Sequence, residues 1–312
     1  MIKKNVTILV NSCDKYEDAW TPFFKLLKIQ WPECPYDIVL STETKTFNCD
    51  CFDVRTINSS PELSWSSRLK NVLNQIETEY VLFFLEDFFL LEKVQTECFY
   101  AALELLENNA DLSLVQFPSI EPDYVPCEKA NNNSDIFEKV KLLKQYRAKV
   151  MVSLWRRSDF EYLIFENENP WICERETSIR STACNKKIIK QNYNISIPAF
   201  FYHINPRMGY GITGGKWLKN NKPFFEKKRI LGVNYDNLGI EYNAATYKQI
   251  DLKRNLAKKA NTKSIIENQS LFNVAKELLY IFKRNILKKT KLDFFLKIYS
   301  YRNIYKKQKR NF

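Results

Sequence analysis

Short apolar runs alternate along this chain with longer segments in which apolar residues recur every three or four positions. Apolar runs bounded by polar residues are typical of strands buried in a parallel sheet, whereas the wider spacing predicts helices. We expect strands at 6–10, 36–41, 53–57, 112–117, 148–155 and 195–202, and a central strand in the apolar run 80–91 that ends at Glu86-Asp87. Helices are expected at 19–30, from Ser64, at 96–108, from Ser158 to Phe165 and from Asn169. This alternation predicts an α/β fold, a mostly parallel sheet flanked by helices.

Polar residues stand where several of these helices should begin. Ser64, Ser158 and Asn169 are expected N-caps, because their side chains can accept a hydrogen bond from an amide of the first turn. Pro170 follows Asn169 and suits a first turn, where its missing N–H is not needed.

The run YVLFFLEDFFLL, residues 80–91, carries only two charges, Glu86 and Asp87, side by side in its middle. Adjacent carboxylates at the end of a buried strand are costly, so we expect a cationic partner. Side chains alternate along a strand, so only one of the two should be a direct metal ligand, and we favour Asp87. Ligands of open α/β sheets bind at the carboxyl ends of the strands. The pair is either a solvated acidic turn or a site for a divalent metal and a nucleotide diphosphate.

The first predicted strand ends in four small polar residues, NSCD at 11–14. Asn11 and Asp14 could contact a nucleotide base or ribose, or this segment could cap the next helix, which is the commoner use of such residues. Arg68, near the start of a later helix, could pair with a phosphate, stack on a base or be an ordinary surface charge.

The only histidine, His203, follows the last predicted strand, and four of the six glycines then fall within residues 209–215. The spacing is not that of a P-loop, since Trp217 follows Lys216 where a Ser or Thr would be needed. Together with Arg207 and Lys216, this segment is either a lid that closes over a diphosphate when the donor binds or a long surface loop.

The net charge of +12 is concentrated near the end of the chain. Residues 251–312 hold 17 of the 48 Lys and Arg residues but only 4 of the 36 Asp and Glu residues, so this segment carries +13 and the rest −1. Its apolar and basic positions predict an amphipathic helical tail that attaches to an anionic membrane surface. The alternatives are a helical appendage packed on the domain or in a dimer, and nucleic-acid binding, for which the tail has no recognised motif.

No stretch reaches the roughly 18 consecutive apolar residues of a membrane span. The apolar run at 6–10 is too short for a signal peptide, so we expect a cytoplasmic protein, held peripherally at the inner face of the cell membrane by its tail. The eight cysteines include no C-x-x-C pair, and structural zinc is not expected.

The apolar strand ending in Glu86-Asp87, the acidic helix start after Pro170 and the late His203 together resemble the GT-A-fold glycosyltransferases. More narrowly, they resemble the bacterial family-2-like enzymes that build capsular or lipopolysaccharide glycans. The resemblance covers roughly residues 5–220, and Glu86-Asp87 departs from the Asp-x-Asp pattern of the family. It implies a GT-A-like catalytic domain at 1–220, with a donor half to about 118 and an acceptor half from about 119, and a basic helical extension at 221–312.

The resemblance implies a hexosyltransferase-type enzyme that moves a sugar from a nucleotide-sugar donor to a glycan or lipid-linked acceptor, with inversion. Mn²⁺ or Mg²⁺, bound by Asp87 and His203, would stabilise the departing diphosphate, and Glu86 would orient the ribose or a metal-bound water. Glu174 would be the general base for the acceptor hydroxyl, with Glu176 as its rival. Structural roles are the alternatives, since a lone histidine is often structural and a helix dipole favours acidic residues in a first turn.

Several residues are candidates for binding the donor: Asn11, Asp14, Arg68, Glu86, Arg207 and Lys216. Two other functions stay open. A nucleotidyltransferase shares the sheet and the metal chemistry, but it usually carries a glycine- and basic-rich loop after the first strand, where NSCDKYED holds no glycine. A non-catalytic, membrane-associated binding module would not need its acidic residues to converge on one cleft. No nucleic-acid partner is expected.

Overall fold

A computed structural model describes residues 5–119, 136–142, 144, 146–193, 196–202, 212–213, 216–217 and 225–226. The chain divides into two compact units, the first holding residues 1–181 and 186–242 and the second 182–185 and 243–312. All the described strands belong to the first unit. Within the described residues, no helix combines the length and the hydropathy needed to cross a bilayer.

The elements of the first half alternate as predicted. They are β1 (Val6–Asn11), α1 (Glu17–Gln30), β2 (Asp37–Thr42), β3 (Val54–Asn58), α2 (Trp65–Leu73), β4 (Tyr80–Leu85), α3 (Thr96–Asn108) and β5 (Leu112–Gln116), with a short 3₁₀ turn at Asp14–Tyr16 before α1. The second half contains β6 (Phe137–Lys139), β7 (Ser153–Arg156), α4 (Arg157–Leu163), α5 (Pro170–Ala183), β8 (Lys187–Gln191), β9 (Ile212–Thr213) and β10 (Lys216–Trp217).

Eight strands form one mixed sheet in the order β3-β2-β1-β4-β7-β5-β8-β6. The first four strands run parallel to one another, β7 is antiparallel to both its neighbours, and β8 is parallel to β5. The predicted fold class is confirmed: an α/β sheet of Rossmann-like strand order, flanked by helices. The basic helical extension predicted at 221–312 lies outside the described residues, apart from 225–226. Strands β9 and β10 form a separate antiparallel pair.

The core lies on both faces of the central strands, which explains their uninterrupted apolar sequences. On one face, Ile8, Leu82 and Phe84 pack with α1 and α3, where Trp31 also meets Phe99 edge to face at 5.6 Å between ring centroids. On the other face, α2 and α4 pack against each other. Each fully buried large apolar side chain contributes about 1.5–3 kcal/mol, so a central strand buried on both faces is strongly held in place.

Two of the expected N-caps are confirmed and one is wrong. The Ser64 side chain accepts from the amide of Ser67 at 3.1 Å, and Asn169 Oδ1 accepts from the amide of Ile172 at 2.9 Å. Helix α4 instead begins at Arg157, one residue before Ser158. The Arg157 amide donates to the carbonyl of Glu79 on the neighbouring strand connection, so a backbone group satisfies this end of the helix.

The strand expected at 148–155 is wrong for its first part, since β7 starts only at Ser153. The amides before it are used by helix α5: Ala148 N donates to Ser178 Oγ and Val150 N to Glu174 Oε1, both at 3.0 Å. Side chains of a helix therefore replace a strand ladder there, and they tie the entry of β7 to α5.

The strand expected at 195–202 does not form in its described part, residues 196–202, apart from an isolated antiparallel bridge between Tyr202 and Leu90. The side chain of Gln191 binds this segment instead, accepting from Ala199 N at 3.0 Å and donating to Ile197 O at 2.7 Å. The late strand lies earlier in the chain, at β8, which pairs with β5.

Candidate functional site

The carboxyl ends of β1 and β4 lie side by side at the point where the chain changes its direction of travel across the sheet. From β1 the chain moves outward through β2 and β3, and it then returns to place β4 on the other side of β1. Asn11 ends β1 and pairs with Leu85, the last residue of β4. Such a switch point leaves a crevice in which ligands of open α/β sheets bind. Asn11 is 3% exposed, and its side chain makes no hydrogen bond to a described residue.

Glu86 and Asp87 lie in the turn directly after β4, so the expected strand alternation does not apply to them. They are only 7% and 9% exposed. Burial and repulsion from Asp87 raise the pKa of Glu86 well above its usual range, although hydrogen bonds from its own amide and from Ser12 oppose this. Burial likewise raises the pKa of Asp87 to about 7, against hydrogen bonds from its own amide and from that of Ile212.

The expected cationic partner is not found among the described residues: no lysine, arginine or histidine there forms an ion pair with Glu86 or Asp87. Within the same residues, no group of three or more His, Cys, Asp or Glu side chains could hold a metal ion. The donor set at this place is therefore two carboxylates with the nearby Ser12 hydroxyl. Hard oxygen ligands of this kind suit Mg²⁺ or Mn²⁺, which commonly take one or two carboxylates and complete their shell with water and substrate phosphates.

The 3₁₀ turn after β1 lies beside the acidic pair. Burial raises the pKa of Tyr16, and the charges of Glu86 and Asp87 raise it further, as does Cys13. Both carboxylates therefore act on the same hydroxyl. Ser12 fixes the other end of the turn, because its Oγ accepts a hydrogen bond from the Trp20 indole at 2.8 Å in the core.

Asp14 holds the loop that follows β2. Its carboxylate accepts hydrogen bonds from the amides of Glu43 at 3.0 Å, Thr44 at 3.0 Å and Lys45 at 3.3 Å, and from the Thr44 hydroxyl. Burial alone would raise the pKa of Asp14, but these hydrogen bonds together lower it. The structure thus gives Asp14 a positioning role, and its contact with a donor stays a prediction.

Arg68 is joined to the same loop. Its Nη1 forms an ion pair with Glu43 Oε1 at 2.9 Å and donates to the carbonyl of Leu63 at 3.0 Å. The charges of Glu86, Glu43 and Arg68 all act on the thiol of Cys13, so Arg68 borders the same crevice as the acidic pair. Its guanidinium is oriented by Glu43 and is available as the cationic edge of that crevice.

Glu174 lies at the same edge of the sheet as the acidic pair. Its Oε1 accepts from Val150 N, and because β7 runs antiparallel to β4, with Ser153 opposite Phe83, the residues before Ser153 lie beyond the carboxyl end of β4. Burial raises the pKa of Glu174, and the Val150 amide and the Lys149 charge oppose that shift. Glu176 is buried and forms an ion pair with Arg175 at 2.7 Å.

The described part of the glycine-rich segment, strands β9 and β10, approaches the acidic pair directly. The amide of Ile212 hydrogen-bonds to Asp87. Trp217 is fully buried, stacks on Phe89 at 5.5 Å between ring centroids and donates its indole N–H to Asp18 at 2.5 Å. These contacts place the described part of the glycine-rich segment at the carboxyl end of β4, and its role as a lid stays a prediction.

Three of the predicted site residues lie outside the described part of the chain, either wholly or in their side chains. His203 and Arg207 lie outside the described residues, and so does the side chain of Lys216, although its backbone belongs to β10. Conversely, the sequence did not single out Glu43 or Tyr16. A usable signal existed for Glu43, which follows the second strand directly and so falls at the same sheet edge.

No protein family model and no curated protein matches this sequence. Among solved structures, S. aureus TarS 1-349 in complex with UDP is similar at 13% identity with a TM-score of 0.43, over 88% of this chain and 78% of that one. Glucosyl-3-phosphoglycerate synthase from Mycobacterium tuberculosis, in complex with Mn²⁺ and UDP-glucose, is similar at 9% identity with a TM-score of 0.39, over 65% and 73%.

Proposed function

We propose that this protein is a glycosyltransferase that moves a sugar from a nucleotide-sugar donor to a glycan or lipid-linked acceptor. The observation that carries the proposal is the burial of Glu86 and Asp87 together at the switch point of the sheet, with no described basic side chain paired to either. Two buried carboxyl groups with raised pKa values in a ligand crevice lower the stability of the fold, and such groups are typical of functional sites. A donor that brings a diphosphate and a divalent cation would meet that need.

The donor side follows from the fixed groups of the crevice. Asp87 and Glu86 would hold Mg²⁺ or Mn²⁺, which when bound stabilises the negative charge on the departing diphosphate. Asn11 would present its amide to the base or ribose from the end of β1. Arg68, oriented by Glu43, would contribute positive charge to the phosphate side.

On the acceptor side, Glu174 would accept the proton of the attacking hydroxyl. Its Oε1 is fixed by the Val150 amide, which leaves Oε2 as the proton acceptor. A raised pKa makes this carboxylate a stronger base than an exposed glutamate, as general-base catalysis near neutral pH requires. Glu176 is less suited, because its carboxylate is engaged by Arg175. Direct displacement by the hydroxyl corresponds to inversion at the sugar carbon.

The reaction can be tested by incubating the protein with a panel of nucleotide sugars, with and without Mn²⁺, and measuring the released nucleotide. We expect release from at least one donor, its loss in Asp87→Asn, and normal release in Asp53→Asn, which removes a carboxylate at an exposed position. Pyrophosphate formation from a nucleoside triphosphate and a sugar phosphate would instead identify a nucleotidyltransferase. No release from any donor, or full activity in Asp87→Asn, would refute the proposal.

The two candidate bases can be separated by Glu174→Gln and Glu176→Gln, which conserve shape. We expect Glu174→Gln to lower kcat for transfer by about 10²–10⁴-fold with little effect on donor affinity. Glu176→Gln should have the smaller effect on kcat. The reverse order of effects would transfer the role of base to Glu176.

The basic tail supports a further part of this proposal, peripheral attachment to the inner membrane face in cell-surface polysaccharide synthesis. Each basic residue near an anionic surface contributes on the order of 1 kcal/mol to the free energy of membrane binding. The net charge of +13 on residues 251–312 is therefore large enough to hold the protein at such a surface. Truncation after residue 255 should release the protein from anionic vesicles. A truncated protein that still co-sediments with those vesicles would reject the attachment.

A further inference from the structure

Trp171, in the first turn of α5, is 75% exposed. Four other tryptophans are 3% exposed or less: Trp20, Trp31, Trp155 and Trp217. A single exposed apolar side chain is common on protein surfaces, so exposure alone is weak evidence. The position of Trp171 relative to the acidic pair and Glu174 is the stronger evidence.

Trp171 lies at the sheet edge that carries the acidic pair. The Ser66 amide donates to the Glu168 carbonyl at 3.1 Å, and the Glu168 amide donates to Ser66 Oγ at 2.8 Å. Ser66 belongs to the first turn of α2, which starts at the carboxyl ends of the parallel strands. The start of α5 is therefore fixed at this same edge, outside the crevice between β1 and β4.

Glu174 follows Trp171 by three positions on α5, and residues three apart are neighbours on a helix surface. The carboxylate of Glu174 is held by Val150 N, whereas the indole extends into solvent. The proposed proton acceptor thus has a large exposed aromatic face one helical turn away, on the side of α5 nearest the helix start.

The chemistry of an indole selects a class of ligand. Its face is apolar and carries a negative π cloud, while one face of a pyranose ring presents weakly positive C–H groups. Small-molecule sites combine such aromatic surfaces with a few fixed polar groups, as Glu174 would supply here. We infer that Trp171 is the platform on which a sugar ring of the acceptor stacks, placing a hydroxyl of that acceptor toward Glu174. This inference rests on the proposed glycosyl transfer.

The test compares Trp171→Ala, Trp171→Phe and the control Ile197→Ala, which truncates a 49% exposed apolar side chain on another segment. The acceptor probes are chitotriose, cellotriose and maltotriose. In each variant, the acceptor-dependent rate is divided by the donor hydrolysis rate without acceptor. We expect Trp171→Ala to raise the KM of the preferred probe about tenfold, Trp171→Phe to restore most of the affinity, and Ile197→Ala to match the wild type.

A second measurement separates this inference from the proposed function. The indole ¹⁵N–¹H signal assigned to Trp171 is followed during titration of the same three oligosaccharides without donor, and during titration of vesicles with 30% anionic lipid. A shift of that signal with an oligosaccharide supports the platform even if no sugar nucleotide is processed. An unchanged acceptor KM in Trp171→Ala with no shift from any oligosaccharide overturns it, as does a response to vesicles alone, which would make Trp171 a membrane anchor.

Discussion

The substitution Asp87→Asn separates the energetic cost of the acidic pair from its use. Asparagine keeps the shape of the side chain but cannot ionise. The pKa of Asp87 is raised from 3.8 to about 7, so the folded protein binds this proton more tightly than the unfolded chain. Without metal, the stability that the protonated Asp87 side chain contributes is therefore fully present below about pH 4 and is lost as the pH rises through about 7. The raised pKa of Glu86 acts in the same direction.

The size of the effect follows from the shift. About three pKa units correspond to about 4 kcal/mol at pH 8, taken as a ceiling because the folded protein can relax around a buried charge. For a domain of this size, 1 kcal/mol changes Tm by about 2–4 °C. We expect Asp87→Asn to melt above the wild type at pH 8 in EDTA, by up to about 8–16 °C, and the difference to shrink at pH 5.

Thermal unfolding is followed by circular dichroism in EDTA and then with increasing Mn²⁺. Mn²⁺ should stabilise the wild type, since a ligand that binds only the folded state raises its stability, and it should leave Asp87→Asn nearly unchanged. The exposed control Asp53→Asn should follow the wild type in both conditions. An Asp87→Asn protein that is less stable than the wild type at pH 8, or one that Mn²⁺ stabilises equally, would refute the reasoning.

Three further substitutions probe the surroundings of the site. In steady-state kinetics, Asp14→Ala should raise the KM for the nucleotide sugar more than it lowers kcat, because the loop after β2 loses the carboxylate that holds it. The pKa of Asp14 is lowered in the folded protein, so the stability that its carboxylate contributes is present above pH 3.8 and is lost as the pH falls through that lowered pKa. Arg180→Met should cost about 3–5 kcal/mol in urea unfolding, because it leaves the buried carboxylate of Glu168 unpaired, and Arg180→Met/Glu168→Leu should recover much of this. Trp217→Phe keeps an aromatic ring but removes the indole N–H that binds Asp18 and leaves a buried gap, so we expect weaker nucleotide-sugar binding by calorimetry and a lower Tm.

Elements with complete local signals were predicted with correct bounds or nearly so. Helix α3 spans the predicted 96–108, and the Asn169-Pro170 start of α5 is capped as its residue types require. The errors arose where distant side chains satisfy the backbone. Val150 gives its amide to Glu174, and Gln191 binds the segment around Ala199, so apolar stretches that look like strands do not form ladders there. Nothing local in the sequence announces such partners.

The site shows the same division. The cost of burying adjacent charges singled out Glu86 and Asp87 from the sequence, and the structure buries both. Their surroundings could not be predicted, because they depend on contacts between distant segments. Asp14 is hydrogen-bonded to Glu43, 29 residues away in the sequence, and Trp217 is hydrogen-bonded to Asp18, 199 residues away. Strand order, which the sequence leaves open, creates the switch point that brings them to one edge.

The carboxylates at this edge divide into two groups by their surroundings, and the division separates positioning from chemistry. Asp14 is surrounded by N–H donors, its pKa is lowered, and its hydrogen-bonding capacity is used within the protein. Asp87, Glu86 and Glu174 have raised pKa values because burial outweighs the few hydrogen bonds that they receive. Environments that shift the pKa values of neighbouring acids in opposite directions are typical of acid–base and metal sites. An acidic turn kept only for folding would have gained donors like those of Asp14, so the smaller number of donors that the described residues give to Asp87 supports a ligand that completes the site.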